Sequence, residues 1–387
     1  MPDSHAETAQ GRAQRTLLMV SPYFPPMLGG LEQYVFRLSG QLQKRHNWRV
    51  VVVTSGDPHS EDRREVIDEL TVYRLGYAMM LSNTPFDLHW LGRMREIVRQ
   101  VNPDIVDAHL PVPGLADVAP LAVGDIPLVV TYHSASMRKG RLRYDLPIWA
   151  YERILGHALL SKARRIICTS TASRDFLKHY RKKSVVISPG VDTELFHPGS
   201  AGPSRRLLFV SNLSRAHAHK GLGYLLQALR DPLCHDVCLD VVGDGDGRED
   251  YEAQCVQLGI EDRVAFHGPL YGEELAERYR AAFSLVQPST NDSLPTTIIE
   301  AMACGTPVIA SRIGSTATVV QPGATGYLVE PGNVGSLIGA ISDCFADPAR
   351  AAAYGKAGLE LVQSSYTTRQ QAERTDALFE QILSGLA

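Results

Sequence analysis

Two carboxylates lie eight residues apart in the C-terminal half of the chain, Asp292 in a polar stretch and Glu300 in an apolar one. The apolar stretch has the composition of a helix that is buried on nearly all sides. A carboxylate in such a place has to be paired or hydrogen-bonded. Glu300 is therefore a candidate acceptor of hydroxyl hydrogen bonds, such as those of a ribose edge. The alternative is a capping box at the start of the helix, in which Thr297 is the partner of Glu300.

The residues between these carboxylates, Leu294, Pro295 and Thr296, lead into the predicted helix. The first backbone N–H groups of a helix have no partner inside the helix, and the helix dipole favours negative charge there. Such a helix start is a ready binding site for phosphate. A carboxylate for hydroxyl groups, a helix start for phosphate and Asp292 beyond them suit a sugar nucleotide laid along this loop.

Two other stretches carry residue types that suit a phosphorylated ligand. Lys220 ends the loop of a strand–loop–helix pattern at residues 210–229, where its charge could neutralise a diphosphate leaving group. A solvated loop lysine is an equally good interpretation. Gly29 and Gly30 precede a predicted helix at residues 31–45 and let the backbone approach a ligand closely, although a glycine pair is often only a turn.

A histidine, His133, stands at the end of a predicted strand at residues 127–133. In an open α/β sheet, ligands bind beyond the carboxyl ends of the strands. A lone histidine is more often structural, but this position favours a functional interpretation.

Short apolar runs alternate with segments of helical period along the first half of the chain. Nearly continuous Val, Ile and Leu runs of this length predict buried strands of a parallel sheet with helices on both faces. The predicted strands of this half are residues 15–21, 48–55, 104–109, 127–133, 164–170 and 184–189.

The pattern breaks in a Pro-, Gly- and Ser-rich stretch at residues 188–206 and then begins again, with predicted strands at 205–212, 237–245, 264–268, 283–289, 307–311 and 326–331. The restart predicts an α/β protein of two tandem Rossmann-like, doubly wound domains whose strand ends face one cleft. We place a disordered arm at residues 1–14, the two domains at 15–195 and 196–365, and a last helix at 366–387.

The bulk composition indicates a globular protein and not a nucleic-acid binder. The 387-residue chain has a net charge of −3, with 44% hydrophobic and 21% charged residues. The polar N-terminus has no apolar segment of a signal peptide, and no apolar run reaches the roughly 18–20 residues of a membrane span. The six cysteines have no zinc-binding spacing. We therefore expect a cytoplasmic protein with no metal site.

Basic residues concentrate in one part of the first half, at residues 137–183. Solvated helix faces are the ordinary interpretation of such a region. The alternatives are a phosphorylated ligand and a peripheral contact with an anionic membrane surface.

Five segments occur in an order and spacing that resemble the retaining glycosyltransferases of family 4: PPMLGGLE, TYH, SPGVDTELFHP, HKGLGYLLQAL and DSLPTTIIEAMACGTPVIAS. The resemblance extends over residues 15–333, and the last segment is its most specific part. It implies the GT-B fold, with the last helix crossing back to the N-terminal domain. It also implies a nucleotide-diphosphate sugar as co-substrate with no other cofactor, no essential metal, and retention of the anomeric configuration.

The same resemblance implies roles for individual residues, with His133, Lys220 and Asp292 as the catalytic candidates. Glu300 would hold the donor ribose, and Asp292 would lie near the donor sugar. Lys220 and the backbone at Gly30 would contact the diphosphate, and His133 would contact the sugar close to the reacting centre. The further donor-binding candidates are Gly29, Asn212, Arg215, Leu294, Pro295 and Thr296.

Three positions depart from the family pattern. Asp292 is one methylene shorter than the family's usual glutamate. Pro295 lacks a backbone N–H where the family often has glycine. Asn212 stands where the family commonly has an arginine, and Arg215 in the following loop is expected to supply the missing charge.

The leading hypothesis is a retaining, metal-independent glycosyltransferase that moves a hexose-type sugar from a nucleotide-diphosphate sugar to an acceptor. The acceptor is a small molecule, a glycan or a lipid-linked compound, and UDP is slightly favoured over GDP as the nucleotide. One alternative is a catalytically degenerate sugar-nucleotide-binding subunit, motivated by Asn212 and Pro295. A second alternative is a sugar-nucleotide epimerase of the same fold.

Overall fold

A computed structural model describes residues 13–26, 29–81, 84–134, 136–137, 142–199 and 205–386. The described chain divides into two compact units. The N-terminal unit runs to Pro189 and includes the chain from Thr368 onwards, and the C-terminal unit is Gly190–Thr367. Most of the predicted arm, residues 1–12, lies outside the described residues.

The N-terminal unit is built on an eight-stranded sheet. The described strands of the whole unit are β1 (Arg15–Val20), β2 (Trp48–Pro58), β3 (Arg63–Ile67), β4 (Leu70–Tyr77), β5 (Met79–Leu81), β6 (Thr84–Phe86), β7 (Ile105–Leu110), β8 (Leu128–Tyr132), β9 (Arg165–Cys168) and β10 (Ser184–Val186). The sheet has the order β10-β9-β8-β7-β1-β2-β4-β3, and β5 and β6 pair separately as a hairpin.

Helices cover this sheet. The α-helices described before residue 188 are α1 (Gly30–His46), α2 (Trp90–Val101), α3 (Leu115–Ala122), α4 (Leu142–Ala150), α5 (Gly156–Lys162) and α6 (Thr171–Phe176). A π-helical segment, Tyr151–Leu155, joins α4 to α5, and a 3₁₀ segment, Lys178–Lys183, precedes β10.

The C-terminal unit repeats the plan with a six-stranded sheet in the order β13-β12-β11-β14-β15-β16. Its described strands are β11 (Arg206–Val210), β12 (Cys238–Val242), β13 (Val264–Phe266), β14 (Ser284–Gln287), β15 (Val308–Ser311) and β16 (Tyr327–Val329). Its described α-helices are α7 (Leu222–Leu229), α8 (Arg248–Leu258), α9 (Gly272–Ala281), α10 (Thr296–Ala303), α11 (Val334–Ala346) and α12 (Pro348–Ser365). All five neighbouring strand pairs in this sheet are parallel.

Both faces of the central strands are buried in each sheet, which explains the nearly continuous apolar runs of these strands. Leu17 and Met19 of β1 enter the apolar cluster beneath α1, whereas Leu18 and Val20 enter the cluster on the opposite face. Successive side chains of a strand point to opposite faces, so a strand covered on both sides needs apolar residues at every position. The predicted doubly wound arrangement is confirmed.

The last helix, α13 (Thr368–Leu383), belongs to the N-terminal unit. Its residues Ala372, Phe379 and Ile382 share the apolar cluster of α1 and β1. The indole N–H of Trp48 donates a hydrogen bond of 2.7 Å to the carboxylate of Asp376 on this helix. The chain therefore crosses back to its N-terminal half, as the family resemblance implied.

The prediction of a parallel sheet missed one part of the N-terminal unit. Strand β3 pairs antiparallel with β4 at the sheet edge, and neither strand was predicted. The side chains of Arg63–Ile67 are exposed or only half-buried, so this edge strand lacks the continuous apolar run that marks a central strand.

Within the part of the chain that the structure describes, none of the helices has the length and apolar character of a membrane span.

Candidate functional site

The strand order of the C-terminal unit identifies where a ligand should bind. Chain order runs outward in one direction from β11 through β12 to β13 and in the other from β14 to β16, so the direction reverses between β11 and β14. In doubly wound sheets the crevice beyond the strand ends at such a switch point is the usual ligand site. Lys220 lies in the loop after β11, and Asp292 lies in the loop after β14.

These two predicted residues are in direct contact. The ammonium group of Lys220 donates a hydrogen bond of 2.5 Å to Oδ2 of Asp292, and both side chains are mostly buried. The other carboxylate oxygen of Asp292 accepts the backbone N–H of Ser293 at 3.0 Å. An ammonium group and a carboxylate are thus in contact beyond the ends of β11 and β14, where the chain order reverses.

The two loops hold each other in place around this pair. A 3₁₀ segment, Arg215–Lys220, carries the lysine, and the backbone N–H of Thr290 donates to the carbonyl of His219 at 2.7 Å. Gly221 follows with φ +89, and a Cβ atom there would lie 2.1 Å from the carbonyl oxygen of Pro288. Only glycine combines this backbone conformation with this close approach.

Gly221→Ala is expected to lower the free energy of unfolding by about 1–3 kcal/mol, through strain and through displacement of the loop that carries Lys220. Because the displaced loop holds Lys220, activity at a permissive temperature should fall more than the loss of folded protein explains. Gly259→Ala is the matched control, since Gly259 also has positive φ (+65) but has no atom within 4 Å of its Cβ position. Urea unfolding with parallel activity measurements tests this, and equal activity of the two variants would contradict it.

Glu300 lies in the apolar helix α10, with 9% of its surface exposed. The hydroxyl of Tyr279, on α9, donates a hydrogen bond of 2.9 Å to its Oε2 atom. The capping-box alternative is wrong, because Pro295 is the N-cap and the Thr297 hydroxyl bonds to Gln287 at 3.2 Å. Glu300 is thus a buried carboxylate held by a tertiary contact, and the predicted helix burial is confirmed.

Leu294, Pro295 and Thr296 lie at the start of α10, where the sequence predicted a helix start. Leu294 is buried, Pro295 is the N-cap residue and Thr296 is the first residue of the helix. The backbone of this loop is fixed from the strand β15 side, where the N–H of Ser315 donates to the carbonyl of Ser293 at 2.7 Å. The phosphate contact predicted for these residues stays a prediction.

Asn212 and Arg215 stand apart from the Lys220–Asp292 pair. The Asn212 side chain accepts the backbone N–H of Ser214 at 2.8 Å and shapes its own loop. The guanidinium of Arg215 donates to both oxygens of Asp250 on α8, at 2.8 and 3.1 Å. This pair is exposed, so Arg215 would have to leave it to compensate a diphosphate.

In the N-terminal unit, Gly29 and Gly30 form the start of α1 as predicted, with Gly29 as its N-cap. The carboxylate of Glu32 folds over them, and a Cβ atom on Gly29 would lie 2.4 Å from Glu32 Oε2. Burial raises the pKa of this carboxyl. The predicted phosphate position at this helix start therefore lies beside a carboxylate of the chain's own, which the sequence interpretation did not consider.

His133 lies just beyond β8 and is half-buried. Its Nε2 atom is 2.9 Å from Nδ1 of His109, the two rings stack, and the ring of Tyr34 packs edge-on against both. Behind them, Asp107 lies 3.6 Å from Nε2 of His109. Burial lowers the pKa of His133 to about 3, which leaves the ring neutral near neutral pH.

The sequence interpretation singled out His133 and missed His109 and Asp107. The signal was present in β7, which reads Ile-Val-Asp-Ala-His-Leu, because two polar residues in alternation within a wholly buried strand share one face. Polar side chains in such a place need partners from neighbouring elements.

The basic region at residues 137–183 is only partly covered, since residues 138–141 lie outside the described residues. In the described part, Leu146, Trp149 and Ile154 are exposed large apolar side chains. Exposed basic residues, including Arg153 and Lys182, accompany them. The contact with a phosphorylated ligand or an anionic membrane surface stays a prediction.

Comparison with known proteins covers both units. A family model described as Glycosyltransferase Family 4 matches residues 28–195, and one described as Glycosyl transferases group 1 matches residues 192–360. Together they span nearly all of the two sheets.

Curated relatives agree with these matches. The D-inositol 3-phosphate glycosyltransferase of Corynebacterium glutamicum is 30% identical over 298 residues, which is 71% of this chain and 68% of that protein. The protein of the same name from Geodermatophilus obscurus is 32% identical over 242 residues, and the alignment spans about half of its length, 54%. D-rhamnosyltransferase WbpZ of Pseudomonas aeruginosa is 28% identical over 325 residues, 79% of this chain and 80% of that protein.

Solved structures share the architecture. Sucrose-phosphate synthase from Thermosynechococcus elongatus has a TM-score of 0.82 at 25% identity, over 96% of this chain and 100% of that chain. WaaG, a glycosyltransferase involved in lipopolysaccharide biosynthesis, has a TM-score of 0.69 at 16% identity, over 95% and 100%. The chain therefore has the two-domain Rossmann-like GT-B fold.

Proposed function

This chain belongs to glycosyltransferase family 4, and on that premise we propose that it transfers a hexose-type sugar from a nucleotide-diphosphate sugar to an acceptor hydroxyl, with retention of the anomeric configuration. The observation that supports this most is the contact between Lys220 and Asp292 across the switch point of the C-terminal unit. It joins a cation suited to a diphosphate and a carboxylate suited to a sugar at the place where such folds bind nucleotides.

The described side chains of the C-terminal unit suit the parts of such a donor. Glu300, a buried carboxylate beside the Tyr279 hydroxyl, would accept hydrogen bonds from the ribose hydroxyls. Lys220 and the first backbone N–H groups of α10 would bind the diphosphate. Asp292 would contact the sugar once Lys220 turns to the phosphate, and His133 of the N-terminal unit would bind a sugar or acceptor hydroxyl.

The protein has to stabilise the negative charge that develops on the leaving diphosphate. As the bond from the anomeric carbon to the diphosphate breaks, negative charge grows on the phosphate oxygens. A preorganised cation and aligned backbone dipoles stabilise that charge. The acceptor oxygen would then bond to the anomeric carbon on the face from which the diphosphate departs, and the diphosphate would take the acceptor's proton. Because the new bond forms on the face where the old one broke, the configuration is retained. Because Lys220 provides positive charge at this place, we propose that no metal ion is needed.

A phosphorylated acceptor is the class that we propose to test first. The N-terminal half of the chain, residues 1–195, holds 25 Lys and Arg against 20 Asp and Glu. A positive field raises the local concentration of anionic substrates. Relatives in the family carry names such as D-inositol 3-phosphate glycosyltransferase, which is consistent with this class.

Thermal unfolding with UDP, GDP, ADP and dTDP tests the donor site without knowledge of the acceptor. A nucleotide that binds only the folded protein stabilises it by about 2.7 kcal/mol at one hundred times its dissociation constant. We expect one nucleotide to raise the melting temperature clearly, with UDP ahead of GDP. No shift with any of the four would contradict the proposed donor site.

Turnover then separates the alternatives. A sugar-nucleotide epimerase would convert the donor sugar without an acceptor, and a degenerate subunit would bind the nucleotide without turnover. The proposed enzyme releases nucleoside diphosphate only with an acceptor, and the anomeric configuration of its product, read by proton NMR, matches that of the donor.

A further inference from the structure

A row of buried polar groups lies behind His133 in the N-terminal unit. Asp107 and His109 are both fully buried on strand β7, and Thr131 of the neighbouring strand β8 is buried beside them. The Thr131 hydroxyl lies 2.9 and 3.0 Å from the two oxygens of Asp107. The row continues from Asp107 through His109 to His133, at 3.6 and then 2.9 Å.

The contacts leave one ring nitrogen of His133 for a ligand. Its Nε2 atom is engaged by Nδ1 of His109, while its Nδ1 atom has no hydrogen-bond partner within the described part of the chain. A neutral imidazole carries one N–H donor and one lone-pair acceptor. The direction of the hydrogen bond between the two rings therefore determines whether Nδ1 of His133 accepts or donates.

Asp107 determines that direction. The Nε2 atom of His109 is buried and makes no hydrogen bond within the described residues, and the carboxylate of Asp107 faces it at 3.6 Å, an electrostatic contact just beyond hydrogen-bond distance. A carboxylate favours an N–H on the atom that faces it. With its proton on Nε2, His109 presents the lone pair of Nδ1 to His133, so His133 carries its proton on Nε2.

We propose that Asp107, acting through His109, holds His133 in the tautomer whose Nδ1 atom is a hydrogen-bond acceptor for a substrate hydroxyl. Asp107 and His109 are positioning residues, and His133 is the group that touches the substrate. The proposal deepens the proposed function and rests on it for the identity of that hydroxyl. Tyr34, whose ring packs against both histidines, keeps the two rings from turning.

The tautomer of His133 is expected to depend on pH, because it follows the protonation of Asp107. The titratable groups that face Asp107 are His109 on its own strand and Tyr34 on α1. The charge of Asp107 raises the pKa of Tyr34, and Thr131 on β8 is a neutral hydrogen-bond donor. Burial raises the pKa of Asp107 to about 7. A protonated Asp107 donates a hydrogen bond to Nε2 of His109. His109 then carries its proton on Nδ1 and donates it to Nε2 of His133, so that the proton of His133 is on Nδ1. Both histidines stay neutral in that range, because burial lowers the pKa of each.

Nitrogen NMR of the full chain, labelled with ¹⁵N-histidine, tests the proposal without any substrate. At about pH 8 the His133 ring should be protonated at Nε2, and a His133→Asn variant assigns its signals. Lowering the pH through the pKa of Asp107 should move the proton to Nδ1 in the wild-type protein. A His133 tautomer that is the same at both ends of this range would overturn the role of Asp107.

The variant Asp107→Asn provides the second readout. The Thr131 hydroxyl needs an acceptor, so the amide oxygen of the substituted side chain faces Thr131 and the amide N–H₂ faces Nε2 of His109. His133 is then expected to carry its proton on Nδ1 at every pH. We expect kcat/KM to fall on the order of 10²-fold, with the nucleotide-induced thermal shift unchanged, because Lys220, Glu300 and the start of α10, which we propose to bind the nucleotide, lie in the C-terminal unit. Asp117→Asn is the control, since Asp117 is also buried but bonds to Tyr151.

The outcomes separate this proposal from the function on which it rests. A reversed tautomer with unchanged kcat/KM would overturn the positioning role of Asp107. Wild-type protein that has the expected tautomer, yet neither binds nucleotides nor turns over sugar nucleotides, would overturn the glycosyltransferase mechanism and leave the tautomer assignment standing.

Discussion

Lys220→Met is expected to lower kcat by about 10²–10³-fold, the range seen when a single preorganised charge-stabilising group is removed. Methionine keeps most of the length of the side chain and loses the charge, so the loop of Arg215–Lys220 should keep its fold. The effect should fall on kcat more than on KM, because the diphosphate gains charge only as it leaves.

The contact with Asp292 makes this prediction sharper. Removing Lys220 leaves a mostly buried carboxylate without its cation, which by itself repels a diphosphate. The double variant Lys220→Met/Asp292→Asn removes this repulsion. We expect it to regain part of the donor affinity lost in Lys220→Met and none of the lost kcat.

The control for this experiment is Lys356→Met, which removes an exposed lysine from helix α12 of the same unit. Steady-state kinetics with the nucleotide sugar chosen by thermal unfolding provides the measurement. A Lys220→Met enzyme with near-normal kcat would show that the leaving diphosphate is neutralised by another group. Arg215 would then be the first candidate, because its exposed pair with Asp250 can open at little cost.

Glu300→Gln is expected to weaken nucleotide binding by about 10–100-fold, since hydrogen bonds to a charged group contribute about 1.5–3 kcal/mol. Glutamine has the same shape and still accepts the hydroxyl of Tyr279, so the folded structure should persist. What it loses is the negative charge that two ribose hydroxyls would share. The loss should appear in donor KM and in the nucleotide-induced thermal shift.

Two further variants test whether the weaker nucleotide binding of Glu300→Gln comes from a lost contact with the nucleotide. Tyr279→Phe removes the hydroxyl that bonds to Glu300 and should change nucleotide affinity less than Glu300→Gln does. Glu360→Gln neutralises an exposed carboxylate on α12 and should change nothing. A Glu300→Gln protein that binds the nucleotide as tightly as the wild type would remove Glu300 from the donor site.

The order of the elements could be predicted from the sequence because local patterns encode it. Apolar runs such as Leu-Leu-Met-Val in β1 can only be satisfied with both faces covered, and this requirement is independent of the rest of the chain. Glu300 stood out for the same reason, because its charge lies in a helix with almost no polar side. The loop residues around it followed from the position of that helix and from the family resemblance.

The partners of those residues were decided by the tertiary structure alone. Lys220 and Asp292 are 72 residues apart, and only the adjacency of β11 and β14 brings their loops together. Glu300 accepts a hydrogen bond from Tyr279 of another helix, and the two residues are 21 positions apart in the sequence. The edge strand β3 depends on its pairing with β4 and carries no apolar pattern of its own.

The row from Asp107 to His133 shows the same division at the scale of single atoms. The sequence by itself determined that Asp107 and His109 share a face of a buried strand, because side chains alternate along β7. It could not determine that β8 lies beside β7, which places Thr131 against Asp107 and His133 against His109. Strand neighbours are chosen by the packing of the whole sheet, whereas a side chain's face is determined by the strand's own geometry.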